Sequence, residues 1–127
     1  MVSSQRPDSV AAAVTDLAPL GRVERIPGDV AVEADVVHLV TRTLERFGRI
    51  DVMVANAGIA DPYKSLLDTS VAEWDRMLDT CLRAPMVLSR LLLPDMLVHN
   101  RGAIVNIAST AARKARPGEA AYTAAKA

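Results

Sequence analysis

Tyr122 and Lys126 stand four residues apart in an alanine-rich stretch, Glu119 to Ala127. On a helix that spacing sets the phenol and the ammonium on one face, within reach of each other. An ammonium there favours phenolate. A free tyrosine titrates at about 10, so bringing it near 7 takes roughly 3 units, or about 4 kcal/mol of differential stabilisation. One partly solvated lysine falls short of that, and a second positive charge has to help. By themselves the two residues also read as an ordinary exposed pair. Three further places deserve inspection, because ligands of open parallel sheets bind beyond the carboxyl ends of the strands. Ser109, 13 residues before Tyr122, ends one apolar run. Asn56-Ala57-Gly58 ends another, and Gly28-Asp29-Val30 follows a third. Asp29 reads equally as a helix N-terminal carboxylate, and Asn56 as a turn-forming side chain.

The elements that must position these residues alternate along the chain. A strand is predicted over Val2 to Ser4, then a helix that starts at Pro7-Asp8 and carries Val10, Val14 and Leu17 at helical spacing, with Gly21 as its stop. Val23 to Ile26 is the second strand. From about Val32 the residues Val36, Val40, Leu44 and Phe47 form the stripe of an amphipathic helix closed by Gly48. Ile50 to Ala55 is nearly continuous in apolar residues, as a strand covered on both faces must be. A loop with Gly58 and Pro62 leads to a long helix, Ser70 to Val98, opened by Ser70 and Glu73 as a capping box. Pro85 should bend it, and Pro94 should bend or end it. Ala103 to Ala108 is the fourth strand, and a polar loop (Ser109 to Gly118) joins it to the last helix. Strict alternation with buried strands implies an α/β fold, a parallel sheet wound by right-handed crossovers.

Composition narrows the function. The 127-residue chain balances 15 Lys+Arg against 15 Asp+Glu and is half hydrophobic, as soluble globular proteins of one domain are. No basic field is left for nucleic acid or an anionic membrane. Its one cysteine, Cys81, cannot close an internal disulfide, and the first six residues hold no apolar signal region, so the cytoplasm is expected. The most apolar stretch, Met86 to Val98, is broken by Arg90, Pro94 and Asp95 and is too short to span a bilayer. With Trp74, Tyr63, Tyr122 and Phe47 as the only aromatics, the core must come from Val, Ile, Leu and Ala.

Taken together, the motifs resemble the short-chain dehydrogenase/reductase family. Asp51-Val-Met-Val-Ala-Asn-Ala-Gly58 is similar to its Asn-Asn-Ala-Gly strand, Ile104-Val-Asn-Ile-Ala-Ser109 to its serine strand, and Tyr122-Thr-Ala-Ala-Lys126 to its Tyr-x-x-x-Lys element. Gly28-Asp29-Val30, Trp74 and the run Asp79 to Pro85 fit as well, so the resemblance covers essentially the whole chain in order. It implies a Rossmann-like three-layer parallel sheet and interconversion of a carbonyl and an alcohol by hydride transfer with NADP or NAD. Tyr122 would be the general acid in reduction and the base in oxidation, with Ser109 polarising the carbonyl. Lys126 would lower the tyrosine pKa and hold the nicotinamide ribose, the oxidised ring supplying the second charge. Asp29 would bind the adenine amino group with Val30 beside it, and the backbone of Asn56, Ala57 and Gly58 would follow the adenosine ribose. The substrate would be a small carbonyl or alcohol compound, and subunits would pair into a homo-oligomer through the long helix and the last helix.

Two substitutions depart from the family pattern. Ala55 replaces the first Asn of the strand motif, and Cys81 stands where an Asn of the fourth helix would hold a water for proton relay. A thiol is a poor substitute for an amide donor and acceptor. The six glycines also include no cluster able to hold a pyrophosphate on a turn and helix N-terminus. The expectation is therefore an incomplete Rossmann-like fold without its first glycine-rich βα unit and its last strands, with a gap between Val2–Ser4 and Ile50–Ala55. After the first strand, Ser3-Ser-Gln-Arg6 has no acid to accept from a ribose 2′-hydroxyl, while Arg6 could meet a 2′-phosphate, which leans to NADP over NAD. Arg6 also reads as a solvated surface residue. The rival class is a catalytically silent remnant of the family, acting as an oligomerisation or interaction module.

Overall fold

The computed structural model describes residues 1–59 and 63–127; Pro62 of the predicted loop lies outside the described residues. β1 (Val2–Ser4) pairs in parallel with β2 (Arg25–Pro27), Ser3 lying opposite Ile26. The crossover between them is α1 (Pro7–Leu17), which places Pro7 in its first turn, where a missing N–H costs nothing, and buries Val10. β2 sits further along the chain than the predicted Val23–Ile26. The approach to it serves both neighbours: Glu24 O accepts from Val2 N–H of β1 at 2.9 Å, while the Glu24 carboxylate meets Arg46 at 2.6 Å and Arg22 lies over the Phe47 ring at 5.0 Å.

That helix, α2 (Glu33–Phe47), buries Val36 and Val40 and stops at Gly48, whose N–H bonds to Leu44 O at 2.7 Å with φ +82°. The positive φ is what a glycine provides at a helix end. β3 (Val52–Ala55) and β4 (Ala103–Asn106) form a second parallel pair, Val54 opposite Val105. Met53 and Ala55 point into a core with Val40, Leu92 and Met96. Val52 and Val54 are each 57% exposed, so the expectation of cover on both faces holds on one face alone among the described residues.

The predicted long helix is three pieces. α3 (Val71–Leu78) opens with the expected capping box: Ser70 Oγ accepts from Glu73 N–H at 3.2 Å, and Glu73 Oε2 accepts from Ser70 N–H at 2.8 Å. A π-helical turn (Asp79–Arg83) follows, and then α4 (Ala84–Val98). Pro85 is the cause of that turn's place: it has no N–H for the carbonyl four residues back, and its ring crowds that carbonyl. The wider turn, closed by Ala84 N–H on Asp79 O, relieves the crowding. Pro94 remains inside α4; its position is exposed, so water can take up the carbonyl it leaves unpaired.

α5 (Ala120–Lys126) packs its Ala125, Ala121 and Tyr122 against Met77 and Cys81. β1 does not pair with β3: the strands form two separate two-stranded sheets. A cleft of about 1130 Å³ lies between them, lined by β1, β3 and the side chains of Thr80, Ala84 and Leu88. The gap stands where the sequence predicts it. Among the described residues no helix is long and apolar enough to cross a membrane.

Candidate functional site

Beyond β3 the chain runs through Asn56, Ala57 and Gly58, all exposed and all on the wall of the cleft. The ends of β3 and β4 are tied by Ile107 N–H on Ala55 O at 3.1 Å. Ile107 O in turn accepts from Lys126 Nζ at 2.8 Å. A Cβ built on Gly58 would lie 3.9 Å from that same Nζ and 3.8 Å from Cys81 Sγ. Gly58, Lys126 and Cys81 therefore surround one small space at the ends of the two strands, with Tyr122 one helical turn before Lys126.

Ser109 is half-buried at the start of a 3₁₀ turn (Thr110–Ala112), where its Oγ accepts from Ala111 N–H at 3.2 Å. Accepting on a lone pair leaves the hydroxyl hydrogen free to donate elsewhere. Tyr122 is half-buried against the Met77–Cys81–Ala125 cluster. Cys81 is buried in the π-helical turn with its thiol 3.8 Å from Met77 Sδ. Beside it Thr80 is buried with a hydroxyl that has no partner among the described residues, and it lines the cleft. No sequence signal marks Thr80, because its place depends on the π-helical turn.

Asp29 follows β2 on the other side of the cleft. Its Oδ1 accepts from Ala31 N–H at 2.9 Å, its Oδ2 pairs with Arg76 Nη1 at 2.7 Å, and its own N–H donates to Asp35 Oδ2 at 2.8 Å. Burial pushes the Asp29 carboxyl up, but hydrogen bonds from Arg76, Ala31 and Gln5 together outweigh it and hold the pKa below the usual value. Arg76 is the partner that sequence reasoning missed: it comes from α3, and no local spacing links it to Asp29. Val30 lines the cleft with Gly28, Arg6, Asn56, Ala57 and Gly58. Ser109, Tyr122 and Lys126 are not on that lining; Lys126 adjoins it at Gly58.

The model of the short chain dehydrogenase family matches residues 1–127. The chain belongs to that family. It is 42% identical over 107 residues to 2-(R)-hydroxypropyl-CoM dehydrogenase of Xanthobacter autotrophicus, covering 83% of this chain and 43% of that protein. To 3-oxoacyl-[acyl-carrier-protein] reductase of a Synechocystis strain it is 35% identical over 125 residues, covering 98% of this chain and 49% of the relative. Among solved structures it is similar to a metagenomic short-chain oxidoreductase in complex with NADP, with a TM-score of 0.91 and 31% identity over 98% of this chain and 56% of that one. The chain thus spans about half the length of the curated relatives it matches. The short-chain dehydrogenases share the Rossmann fold, and the two parallel pairs with their helices are part of one.

Proposed function

We propose that residues 1–127 belong to a single dinucleotide-binding domain of an NAD(P)-dependent oxidoreductase that interconverts a carbonyl and an alcohol. The observation that carries the reading is the seat of Lys126 on Ile107 O, beside Gly58 and one helical turn from Tyr122. The phenol gives its proton to the carbonyl oxygen in reduction and takes it back in oxidation. Ser109 donates its free hydrogen to the same oxygen and stabilises the charge that develops on it. The nicotinamide, when bound, supplies the hydride in reduction and takes it up in oxidation.

The residues around the cleft fit such a group. A Cβ would fill the space beside Gly58, so the glycine leaves room between Cys81 and Lys126. Asn56 to Gly58 offer exposed backbone for the adenosine ribose, Asp29 an acceptor for the adenine amino group and Val30 a wall beside it, while Lys126 meets the nicotinamide ribose. Arg6, exposed and without a carboxylate partner among the described residues, favours the 2′-phosphate of NADP over NAD. The substrate is a small carbonyl or alcohol compound, the subunits pair through the long helix, and the protein works in the cytoplasm.

The test is calorimetric titration with NADPH, followed by turnover of a panel of ketones. Adenosine-side contacts without a glycine-rich turn should give this chain weak binding, and micromolar affinity would contradict that. Where turnover is found, Tyr122→Phe should abolish it and leave binding unchanged; an unchanged rate would remove Tyr122 from the mechanism.

A further inference from the structure

Charge balance holds for the whole chain but not for its last part. Residues 102–127 carry four Lys or Arg and one acid, Glu119. Three of the cations, Arg113, Lys114 and Arg116, fall within the connection from Ser109 to Tyr122. All three are exposed. Lys64, Arg76 and Arg83 each sit on a carboxylate, whereas none of these three does among the described residues.

The connection is built of successive turns. Arg113 and Lys114 N–H both donate to Thr110 O at 3.1 Å, and Glu119 N–H donates to Arg116 O at 3.2 Å. Gly118 O accepts from Lys64 N–H at 3.2 Å. Gly118 has φ +81°, and a Cβ there would come within 2.9 Å of Lys64 N, so a glycine is what lets the two segments meet. The Tyr63 hydroxyl first, and then the charge of Glu119, favour the protonated Arg116 guanidinium and raise its pKa above the usual value. Ala111 is buried, and its 3₁₀ turn packs back on α5. Among the described residues these three exposed cations make no ion pair, and the connection that carries them begins at Ser109 and leads into the helix of Tyr122.

We infer that this loop receives an anionic group carried by the substrate, so that the preferred substrates are carbonyl or alcohol compounds that end in a carboxylate, sulfonate or phosphate. The inference rests on the proposed pairing of Ser109 and Tyr122 at the reacting carbonyl. Guanidinium forks match such oxyanions in two-point geometry, and a lysine adds a mobile point charge. A local positive field in a chain of zero net charge also concentrates anionic substrates near the loop. A nucleic acid is a poorer fit, because its regular phosphates call for an extended basic surface rather than one loop.

Levulinate, its methyl ester and acetate serve as probes, titrated into the isotope-labelled chain with backbone amide shifts as the readout. Levulinate should move the amides of residues 109–118 and bind about tenfold more tightly than the ester at low salt. That advantage should vanish at high salt and in the R113Q/K114Q/R116Q variant, whose fold is checked by circular dichroism. Equal affinity for ester and anion, shifts elsewhere on the chain, or no binding of levulinate at all would overturn the inference. Equal binding of acetate would also overturn it, since the loop would then be a general anion patch. No cofactor or turnover enters the measurement, so failure of the proposed oxidoreductase chemistry would show separately, in the Tyr122→Phe comparison.

Discussion

Glu73 shows how firmly one side chain can be committed to structure. Lys64 Nζ lies 2.7 Å from its Oε1 and 2.9 Å from its Oε2, and Ser70 donates from both hydroxyl and backbone. These bonds, the one from Lys64 first, pull the pKa from 4.5 to about 2. A depressed carboxyl contributes stability that is fully present above its unfolded pKa and is lost as the pH falls through the folded one. The start of α3 should therefore hold at pH 5 and loosen between about 4.5 and 2, and Lys64→Met should move the midpoint upward. A nuclear magnetic resonance titration of the Glu73 carboxyl checks both. Cys81 carries a prediction about catalysis. If the proton relay needs an amide at that position, Cys81→Asn should raise turnover with cofactor affinity unchanged, while Cys81→Ser should not; an equal or lower rate for Asn would make the position structural. A partner near in sequence was legible, Ser70 with Glu73 from capping chemistry, whereas the bond of Lys126 to Ile107 O, 19 residues away, was not. Arg76 was not, because its bond to Asp29 exists only once α3 and the end of β2 are folded together.

Elements were readable where their periodicity was strong. α2 begins and ends within a residue or so of its predicted stripe, since its caps and its buried face agree. β2 runs to Pro27, one residue past the predicted Ile26, and Glu24 before it meets β1 through its carbonyl and α2 through its carboxylate. The π-helical turn before Pro85 could not be read from a pattern that foresees only a bend, yet it is what places Thr80 on the cleft and Cys81 beside Gly58. Glycine positions give a quantitative check at this scale. Gly48 and Gly118 share a positive φ, but a Cβ on Gly48 meets nothing within 4 Å, while one on Gly118 meets Lys64 N at 2.9 Å and Tyr63 Cβ at 3.0 Å. Gly48→Ala should cost about 1 kcal/mol from conformation alone. Gly118→Ala adds a backbone clash and should cost roughly 2–3 kcal/mol. Urea denaturation of the two variants gives the comparison, and equal losses would mean that the 63–64 segment yields easily.

On the scale of the whole molecule, the apolar surface and the open edges decide behaviour. β1 and β3 each pair on one side only, and unpaired strand edges invite other chains. Val52 and Val54 present a bare apolar face next to the open edge of β3, and along α4 the exposed Met86, Leu93 and Leu97 add a second patch. The continuous apolar run of Ile50 to Ala55 has the pattern of a strand buried on both faces, so the sequence predicts more cover than the described residues provide. The buried side chains fall into two clusters: Val40, Met53, Ala55 and Leu92, which line the cleft of about 1130 Å³, with Met96 behind them, and Met77, Cys81 and Ala125 away from it. A core so divided melts in stages, since neither half needs the other to stay ordered. The purified chain should therefore associate and unfold with a broad transition. Light scattering at low concentration should show dimers or larger species, and calorimetry a van't Hoff enthalpy below the calorimetric one. Replacing Val54 by Lys places a charge on the bare face and should reduce association if the sheet drives it, whereas Leu93→Lys should do so if α4 is the interface. A sharp, two-state melt from a monomer would mean that the two pairs of strands close on each other in solution, and the reading of an incomplete sheet would have to be given up.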